Sequence, residues 1–331
     1  MRQISIIMCI AMIFGFAACE MIEGIGEAIE ACDGMTLDEL RTVNDISDEC
    51  RAALMDILPS DENYLAGIVV SAGIGNLDGN KLLIIMGADE NGNPINLSDV
   101  SEITVTADGQ TVPESSYIIR QAADLSATIV SLSCFLDYSG SMHNKDIDDA
   151  IEVFKSIFSI PVGFEAEYSI FSKIIEKKTT FTTNTETLYN AVVRDNYFIR
   201  SYTALFDAMG YGIQSVGGRN APVKLLIVAT DGHENNSTEF TQENTLYSMA
   251  NEDNVHIIVL GAMLADLDFM ERATQSTDGF YLYSKEFGSL QNLVQDLVDV
   301  LGNMPVVEIT DDLYKNASAY LIYFDGTTLS F

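Results

Sequence analysis

The feature that most restricts how this chain can fold is a series of short runs that are apolar at every position, set between helical patterns across residues 128–302. Leu225-Leu226-Ile227-Val228 and Ile257-Ile258-Val259-Leu260 are the clearest. A strand with apolar side chains on both faces has to be covered on both faces, which is the condition of a parallel sheet flanked by helices. Strands are expected at Thr128–Leu136, Glu167–Phe171, Thr179–Thr182, Val223–Ala229, Val255–Leu260 and Gly279–Tyr283. Helical spacing separates most of them, at Asp146–Phe158, Thr185–Val193, Ala204–Val216, Thr241–Asn251, Leu267–Gln275 and Ser289–Leu301. The alternation defines an α/β domain with a doubly wound, mostly parallel sheet. The strands near Phe171 and Phe181 have no helix between them and are expected as an antiparallel hairpin at the sheet edge.

Residues 60–127 follow a different rule. Tyr64 to Ala72, Lys81 to Ala88, Glu102 to Ala107 and the start of a run at Tyr117 are short β patterns, broken by the turns at 89–94 and at Asp108-Gly109. A small β-sandwich is expected there. Asp89, Glu90 and Asn91 read as a hairpin turn or a calcium loop, although the spacing of an EF-hand is absent. Residues 303–331 return to β character at Tyr320 to Phe324 and Thr327 to Phe331; they either complete the sandwich or form an edge hairpin of their own.

The N-terminal stretch reads as an export signal. Arg2 precedes an uncharged, mostly apolar run of 13 residues from Ile4 to Phe16, too short to span a bilayer as a helix. Phe16-Ala17-Ala18-Cys19 resembles the bacterial lipoprotein signal, whose cysteine is acylated, with Phe16 where Leu is usual. Residues 1–18 would then leave as signal peptide, with Cys19 lipidated; the alternative is ordinary signal-peptidase cleavage with Cys19 a free thiol. The acyl chains would be the only membrane attachment, which places the protein in the bacterial cell envelope. Residues 19–59 read as a helical, acidic spacer ending at Pro59. Cys32 and Cys50 flank part of it and are either bridged or two independently buried thiols, while Cys134 belongs to an apolar strand and is expected in the core. The formal charge is −32, from 17 basic and 49 acidic residues. That balance argues against nucleic acid, whose phosphates need basic residues to displace counterions.

Chemistry concentrates at two strand ends. The first strand of the α/β region stops in Asp137-Tyr138-Ser139-Gly140-Ser141-Met142, and the fourth in Ala229-Thr230-Asp231-Gly232. In a doubly wound sheet of order 3-2-1-4-5-6, strands one and four are neighbours at the switch point, where ligands bind. Asp137 and Asp231 are therefore expected to face each other, and two carboxylates that close repel unless a cation lies between them. Hydroxyl and carboxylate oxygens are hard ligands that suit Mg²⁺, Mn²⁺ or Ca²⁺, and a site with few protein ligands and intervening waters suits Mg²⁺ best. Taken singly, Ser139 and Ser141 are ordinary turn residues, Thr203 a helix N-cap and Asp231 a turn acid. Their joint order at these strand ends is what points to a metal.

Asp-x-Ser-x-Ser at 137–141, Thr203 opening a helix, and Asp231 in Ala-Thr-Asp-Gly resemble the metal-ion-dependent adhesion site of von Willebrand factor type A domains. Tyr202 to Ala208 is similar to the start of that family's third helix, and the resemblance covers roughly 128–302. It implies that Ser139, Ser141 and Thr203 contact the metal directly, that Asp137 and Asp231 act through water, and that an Asp or Glu of a protein partner completes the sphere. In relatives the last helix, here 289–301, shifts when such a ligand binds. The family often has glycines where this chain has Ser201-Tyr202, which bears on the pose of the Thr203 loop. The run from Asp89 through Asp108-Gly109-Gln110 resembles the immunoglobulin-like module preceding the type A domain in some bacterial proteins.

The sequence points to a binding module and not to an enzyme. His233 lies beside Asp231, but a Ser139–His233 hydrolase lacks the G-x-S-x-G elbow, and H-E-x-x-H and C-x-x-C are absent. Asp207 and Asp266 read as helix-terminus or surface acids. Two functions stay open: adhesion to a protein partner through the metal, or a structural subunit of an envelope complex whose metal only stabilises the fold. They differ in the rim, since an adhesion face is expected to expose residues such as Tyr138, Met142 and Tyr202.

Overall fold

In a computed structural model, the described residues are 31, 32, 34, 35, 47–58, 62, 63, 65, 67–97, 102–324 and 326–331. The signal segment and Cys19 lie outside them. A first helix, α1 (Asp48–Ile57), is capped by the Ser47 hydroxyl, which accepts from the Cys50 N–H at 3.1 Å. Cys50 is joined to Cys32 in a disulfide, and both sulfurs are buried with Leu54 against Met263 and Leu264.

The parallel sheet is built from β7 (Val130–Asp137), β8 (Phe164–Phe171), β10 (Val223–Thr230), β11 (Val255–Ala262) and β12 (Phe280–Ser284). The antiparallel strand β9 (Ile175–Thr182) closes one edge as the other half of a hairpin with β8. Read from that edge, the order is β9-β8-β7-β10-β11-β12, so the first and fourth strands of the α/β region are neighbours. The far edge carries an addition: β1 (Glu62–Asn63) pairs antiparallel with β12, so the run read from Tyr64 onward enters its sandwich strand only at Val69. β7 and β11 are buried at every position, the burial that their unbroken apolar runs demand.

Helices cover both faces. α2 (Asn144–Ile157) and the last helix, α7 (Phe287–Gly302), pack together on one side, with Ile147, Phe154, Leu290 and Leu297 in a core shared with Leu132, Cys134 and Leu136 of β7. α4 (Leu205–Gly217), α5 (Glu243–Glu252) and α6 (Leu267–Gln275) cover the other side over Phe135, Leu226, Val228 and Val259. A short helix, α3 (Thr185–Ala191), follows β9 and is capped by Asn184. Element ends differ from the periodicity reading by a few residues, most at β9, where Glu176, Lys177 and Lys178 interrupt the apolar pattern.

Two four-stranded antiparallel sheets stand beside this domain. One has the order β2-β3-β13-β6, from Val69–Leu77, Asn80–Gly87, Pro305–Ile309 and Tyr117–Gln121; the other has β15-β14-β4-β5, from Thr327–Ser330, Tyr320–Phe324, Ile103–Ala107 and Gln110–Thr111. Strands from after the last helix thus pair with strands from before β7: β13 lies between β3 and β6, and β14 pairs with β4. Leu83, Ile85, Val105, Val307 and Ile322 fill the space between the two sheets. The alternate side chains of β3, Leu82, Ile84 and Met86, join the core of the parallel sheet's domain, which explains why Leu82 to Met86 is apolar at every position. Asp89 holds a turn: its Oδ1 accepts the N–H groups of Asn91 at 2.8 Å and Asn93 at 2.9 Å.

The join between the two parts is close. A Cβ on Gly73 would sit 1.9 Å from the Pro222 carbonyl oxygen, and the buried His256 ring reaches the Ala72 carbonyl at 3.3 Å. Gly73→Ala is therefore expected to force the backbones apart and lower stability by about 1–3 kcal/mol. Urea denaturation reads this directly, and an unchanged midpoint would mean that the two parts do not touch at Pro222.

Candidate metal centre at the ends of β7 and β10

β7 and β10 run side by side, with Leu136 opposite Ala229, so both chains leave the sheet at one level. Asp137 is fully buried there and its carboxylate is fixed on both sides. Oδ1 accepts from the Ser139 N–H at 2.6 Å and Oδ2 from the Thr230 hydroxyl at 2.6 Å, while the Gly232 N–H donates to that hydroxyl oxygen at 3.1 Å. Asp231 is buried as well and its Oδ1 accepts from the Ser141 hydroxyl at 2.8 Å. The Ser139 and Ser141 oxygens lie 3.0 Å apart. With its proton on Asp231, Ser141 is left as the acceptor for Ser139, and the remaining lone pairs are free to face a common centre.

Thr203 reaches the same centre from the loop before α4. A Cβ built on Gly232 would meet Thr203 Oγ1 at 3.3 Å, Ser141 Oγ at 3.4 Å and Asp137 Oδ2 at 3.7 Å. Three of the sequence-selected side chains thus converge on one glycine, where a Cβ would crowd their oxygens. The Thr203 loop is tied down from two directions. Its N–H donates to Asn235 Oδ1 at 2.8 Å, its carbonyl accepts from Asn235 and Asn236 at 3.1 Å each, and the Gly140 N–H bonds the Ser201 carbonyl at 2.7 Å. Ser201-Tyr202 therefore stands in place of glycines without displacing Thr203 from the other oxygens.

The electrostatics follow from burial. Loss of water pushes the Asp137 carboxyl up to about 6, against hydrogen bonds from Thr230 and Ser139 that favour the charged form. Asp231 is pushed well above the ordinary carboxylate range, first by burial and then by the charge of Asp137, with Asp146 adding and Arg51 opposing. Arg51, on α1, donates to the buried Asp146 at 2.6 Å, and Asp146 also accepts the N–H of the α2 cap residue His143 at 3.0 Å. Two buried acids, with no basic side chain hydrogen-bonded to either among the described residues, and three hydroxyls beside them fit a hard divalent cation. Among the described residues no group of three His, Cys, Asp or Glu side chains gathers anywhere, so the hydroxyls are what distinguishes this place.

Other sequence candidates are disposed of by their partners. His233 Nδ1 lies 3.0 Å from Asp266 Oδ2, and the hydrogen-bond partner of the Ser139 hydroxyl is Ser141. Asp207 accepts three backbone N–H groups, from Thr238, Glu239 and Phe240. Asp266 caps α6 through the Phe269 N–H, and Cys134 is buried and unbridged. Two expectations for the rim are corrected. Tyr138 and Met142 are fully buried, because the alternation that turns 137, 139 and 141 to the site turns 138 inward; its ring meets Phe198 edge-on at 5.6 Å and its hydroxyl accepts the Asp195 N–H at 3.2 Å. Tyr202 is exposed as expected, and the same loop exposes Tyr197 at 96% and Ile199 at 60%. Sequence reasoning did not select those two, nor Thr230, Gly232 and Asn235; the Asp-Gly pair after an apolar strand was the available signal for Gly232.

With this geometry, a family comparison is decisive: residues 134–296 match the family model of the von Willebrand factor type A domain, and the chain carries such a domain. No curated protein matches the chain. Among solved structures, the conserved hypothetical protein BatB from Bacteroides thetaiotaomicron is 15% identical, with 52% of this chain and 98% of that one covered and a TM-score of 0.45. Proximal thread matrix protein 1 from the mussel byssus, solved with a zinc-occupied MIDAS motif, is 15% identical over 59% of this chain and 50% of its own, with a TM-score of 0.49. The vWF domain of the type V pili tip protein Mfa5 from Porphyromonas gingivalis is 11% identical over 53% and 96%, with a TM-score of 0.40.

The raised Asp137 value carries a pH signature. The fold favours its protonated form, so this contribution is present below 3.8 and is lost as pH rises through about 6. In chelator, Asp137→Asn should match the wild type near pH 4 and be the more stable of the two at pH 7. A wild-type-to-variant difference in denaturant midpoint that stays constant over that window would contradict a buried, cation-free carboxylate.

Proposed function

We propose that the chain is an envelope-anchored, divalent-cation-dependent protein-binding module that captures an acidic residue of its partner. Ser139, Ser141 and Thr203 contact the cation directly, and Asp137 and Asp231 act through water. Mg²⁺ suits this donor set best, with Mn²⁺ and Ca²⁺ as the other hard candidates. Three neutral hydroxyls leave the ion short of charge neutralisation, so an open position there attracts an anionic oxygen. The observation that carries the reading is the face around those hydroxyls. Tyr197, Ile199 and Tyr202 stand exposed on the loop that supplies Thr203, as an adhesive rim requires and a covered structural face would not. The loop also bears Arg200, which contacts the Ser139 carbonyl at 3.4 Å. A cation beside the site favours an incoming carboxylate, while the net charge of −32 calls for a partner whose wider face is basic.

In this reading Cys19 bears the lipid, residues 19–59 link it to the folded body, and the type A domain of 128–302 is inserted into a sandwich formed by 60–127 with 303–331. The pairing of β13 with β3 and β6 supports the insertion. Among the described residues no helix is long and apolar enough to cross a membrane; in this reading the acyl chains are the membrane attachment.

Calorimetry with Mg²⁺ tests the ion site. The wild type is expected to bind, and at a hundred-fold excess over Kd to gain about 2.7 kcal/mol of stability; Asp137→Ala should do neither. Equal affinity in the two proteins would sink the assignment. Partner capture from envelope extract should then disappear in chelator and in Tyr197→Ser/Tyr202→Ser, whereas capture indifferent to chelator would leave the metal a purely structural role. Mass spectrometry of the mature N-terminus should find acylated Cys19, and an unmodified Cys19 would remove the anchor.

A further inference from the structure

The segment in front of the sandwich brings a positive charge to the edge of the metal centre. α1 lies outside the residues that match the type A family, which begin at 134, yet it stands at the end of the sheet where the site lies. Thr230 of β10 is opposite Gly261 of β11, and Ala262 is opposite Ser284 of β12. Met263, Leu264 and Lys285 therefore leave their strands at the level of Asp231. α1 rests on these residues. Leu54 and the bridged Cys32 and Cys50 pack with Met263 and Leu264, and Lys285 Nζ donates to the Met55 carbonyl at 2.8 Å.

Held in this way, α1 directs Arg51 at the start of α2. Arg51 Nη2 donates to Asp146 Oδ1 at 2.6 Å, and the Asp146 side chain is only 2% exposed. Asp146 Oδ2 accepts the His143 N–H at 3.0 Å, so this carboxylate belongs to the turn that follows Ser141. It also sits in the first turn of α2, where the helix dipole favours a negative charge. Stability gives little reason for the pair with Arg51. Buried ion pairs are often matched by apolar side chains of similar volume, and Arg51 Nη1 is buried with no hydrogen-bond partner among the described residues. The charges have a clearer effect. Both reach Asp231, where Asp146 raises the carboxyl and Arg51 lowers it. Charges that act on Asp231 act also on a divalent ion seated beside it, and each is doubled by the ion's own two charges.

We propose that Arg51 sets the affinity of the cation site: the disulfide-closed segment supplies a positive charge that offsets Asp146 and so weakens the hold on the ion. This rests on the reading of the strand ends as a cation site. Without Arg51, Asp146 stands as a third acid near the ion and helps to hold it whether or not a partner is present. With Arg51 in place, less of the ion's charge is neutralised by this chain, which leaves more for the carboxylate of a partner. Ion and partner then strengthen each other's binding, since the coupling between two ligands is reciprocal.

The test is a charge cycle, read by calorimetric titration of Mn²⁺ into the full chain. Arg51→Met removes the positive charge and is expected to tighten Mn²⁺ binding about threefold or more at low salt. Asp146→Asn keeps an oxygen for the His143 N–H but removes the negative charge, and should weaken binding by a similar factor. The double variant restores the local balance and should return to the wild-type affinity, as should Arg51→Lys. Both single shifts should shrink as salt rises. A residue that only braced the turn would behave otherwise: Arg51→Met and Arg51→Lys would both weaken binding, at any salt. That pattern, or variants that all bind as the wild type does, would overturn the inference and leave the cation site standing. No Mn²⁺ uptake by the wild type would sink the cation site itself, and this inference with it.

Discussion

Two carboxylates, Asp137 and Asp231, are brought out of water at the same level because β7 and β10 are adjacent parallel strands. Much of the architecture around them manages that juxtaposition. Each acid receives hydroxyl or backbone donors, from Thr230, Ser141 and Ser139, and among the described residues neither has a basic side chain hydrogen-bonded to it. Hydrogen bonds alone do not compensate two buried like charges, and both acids are held above their ordinary range. The arrangement is therefore poised for a positive ion, and the hydroxyls of Ser139, Ser141 and Thr203 give that ion oxygen ligands without adding a third negative charge.

The pairing of strands before β7 with strands after α7 bears on how rigidly this end is held. β13 leaves α7 and at once enters the sheet that contains β3 and β6, so the last helix is fixed at its C-terminal end. At the opposite end of the helix, Lys145 at the start of α2 reaches Glu286, the residue that caps α7, at 3.4 Å. Met263 and Leu264, just beyond β11, carry the disulfide-closed segment around Cys32 and Cys50, and Arg51 of that segment pairs with Asp146. Cys32 and α1 are thus in contact with the elements that frame the two acids.

Much of this was legible in the sequence. Apolar runs alternating with helical patterns point to central parallel strands, and the doubly wound strand order then brings Asp137 to meet Asp231. The spacing of Ser139 and Ser141 placed two hydroxyls at the same strand end. The rim was not legible, because whether Tyr138 or Tyr202 faces water depends on how the loop at 192–203 folds back, and Phe198 packing on Tyr138 is a contact between residues 60 positions apart. Tyr197 and Ile199 carry no periodicity to read. The pairing of β1 with β12 was hidden for a related reason, since a two-residue strand has no pattern.

The claim on which the account turns is that Ser139, Ser141 and Thr203 hold one divalent cation between them. Crystals grown with Mn²⁺, with anomalous scattering used to locate the ion, address it most directly. The account predicts a single strong peak within about 2.0–2.6 Å of all three hydroxyl oxygens, with Asp137 and Asp231 reached through ordered water. A peak bound directly by both carboxylates and out of reach of Thr203, or no peak at these strand ends, would contradict it.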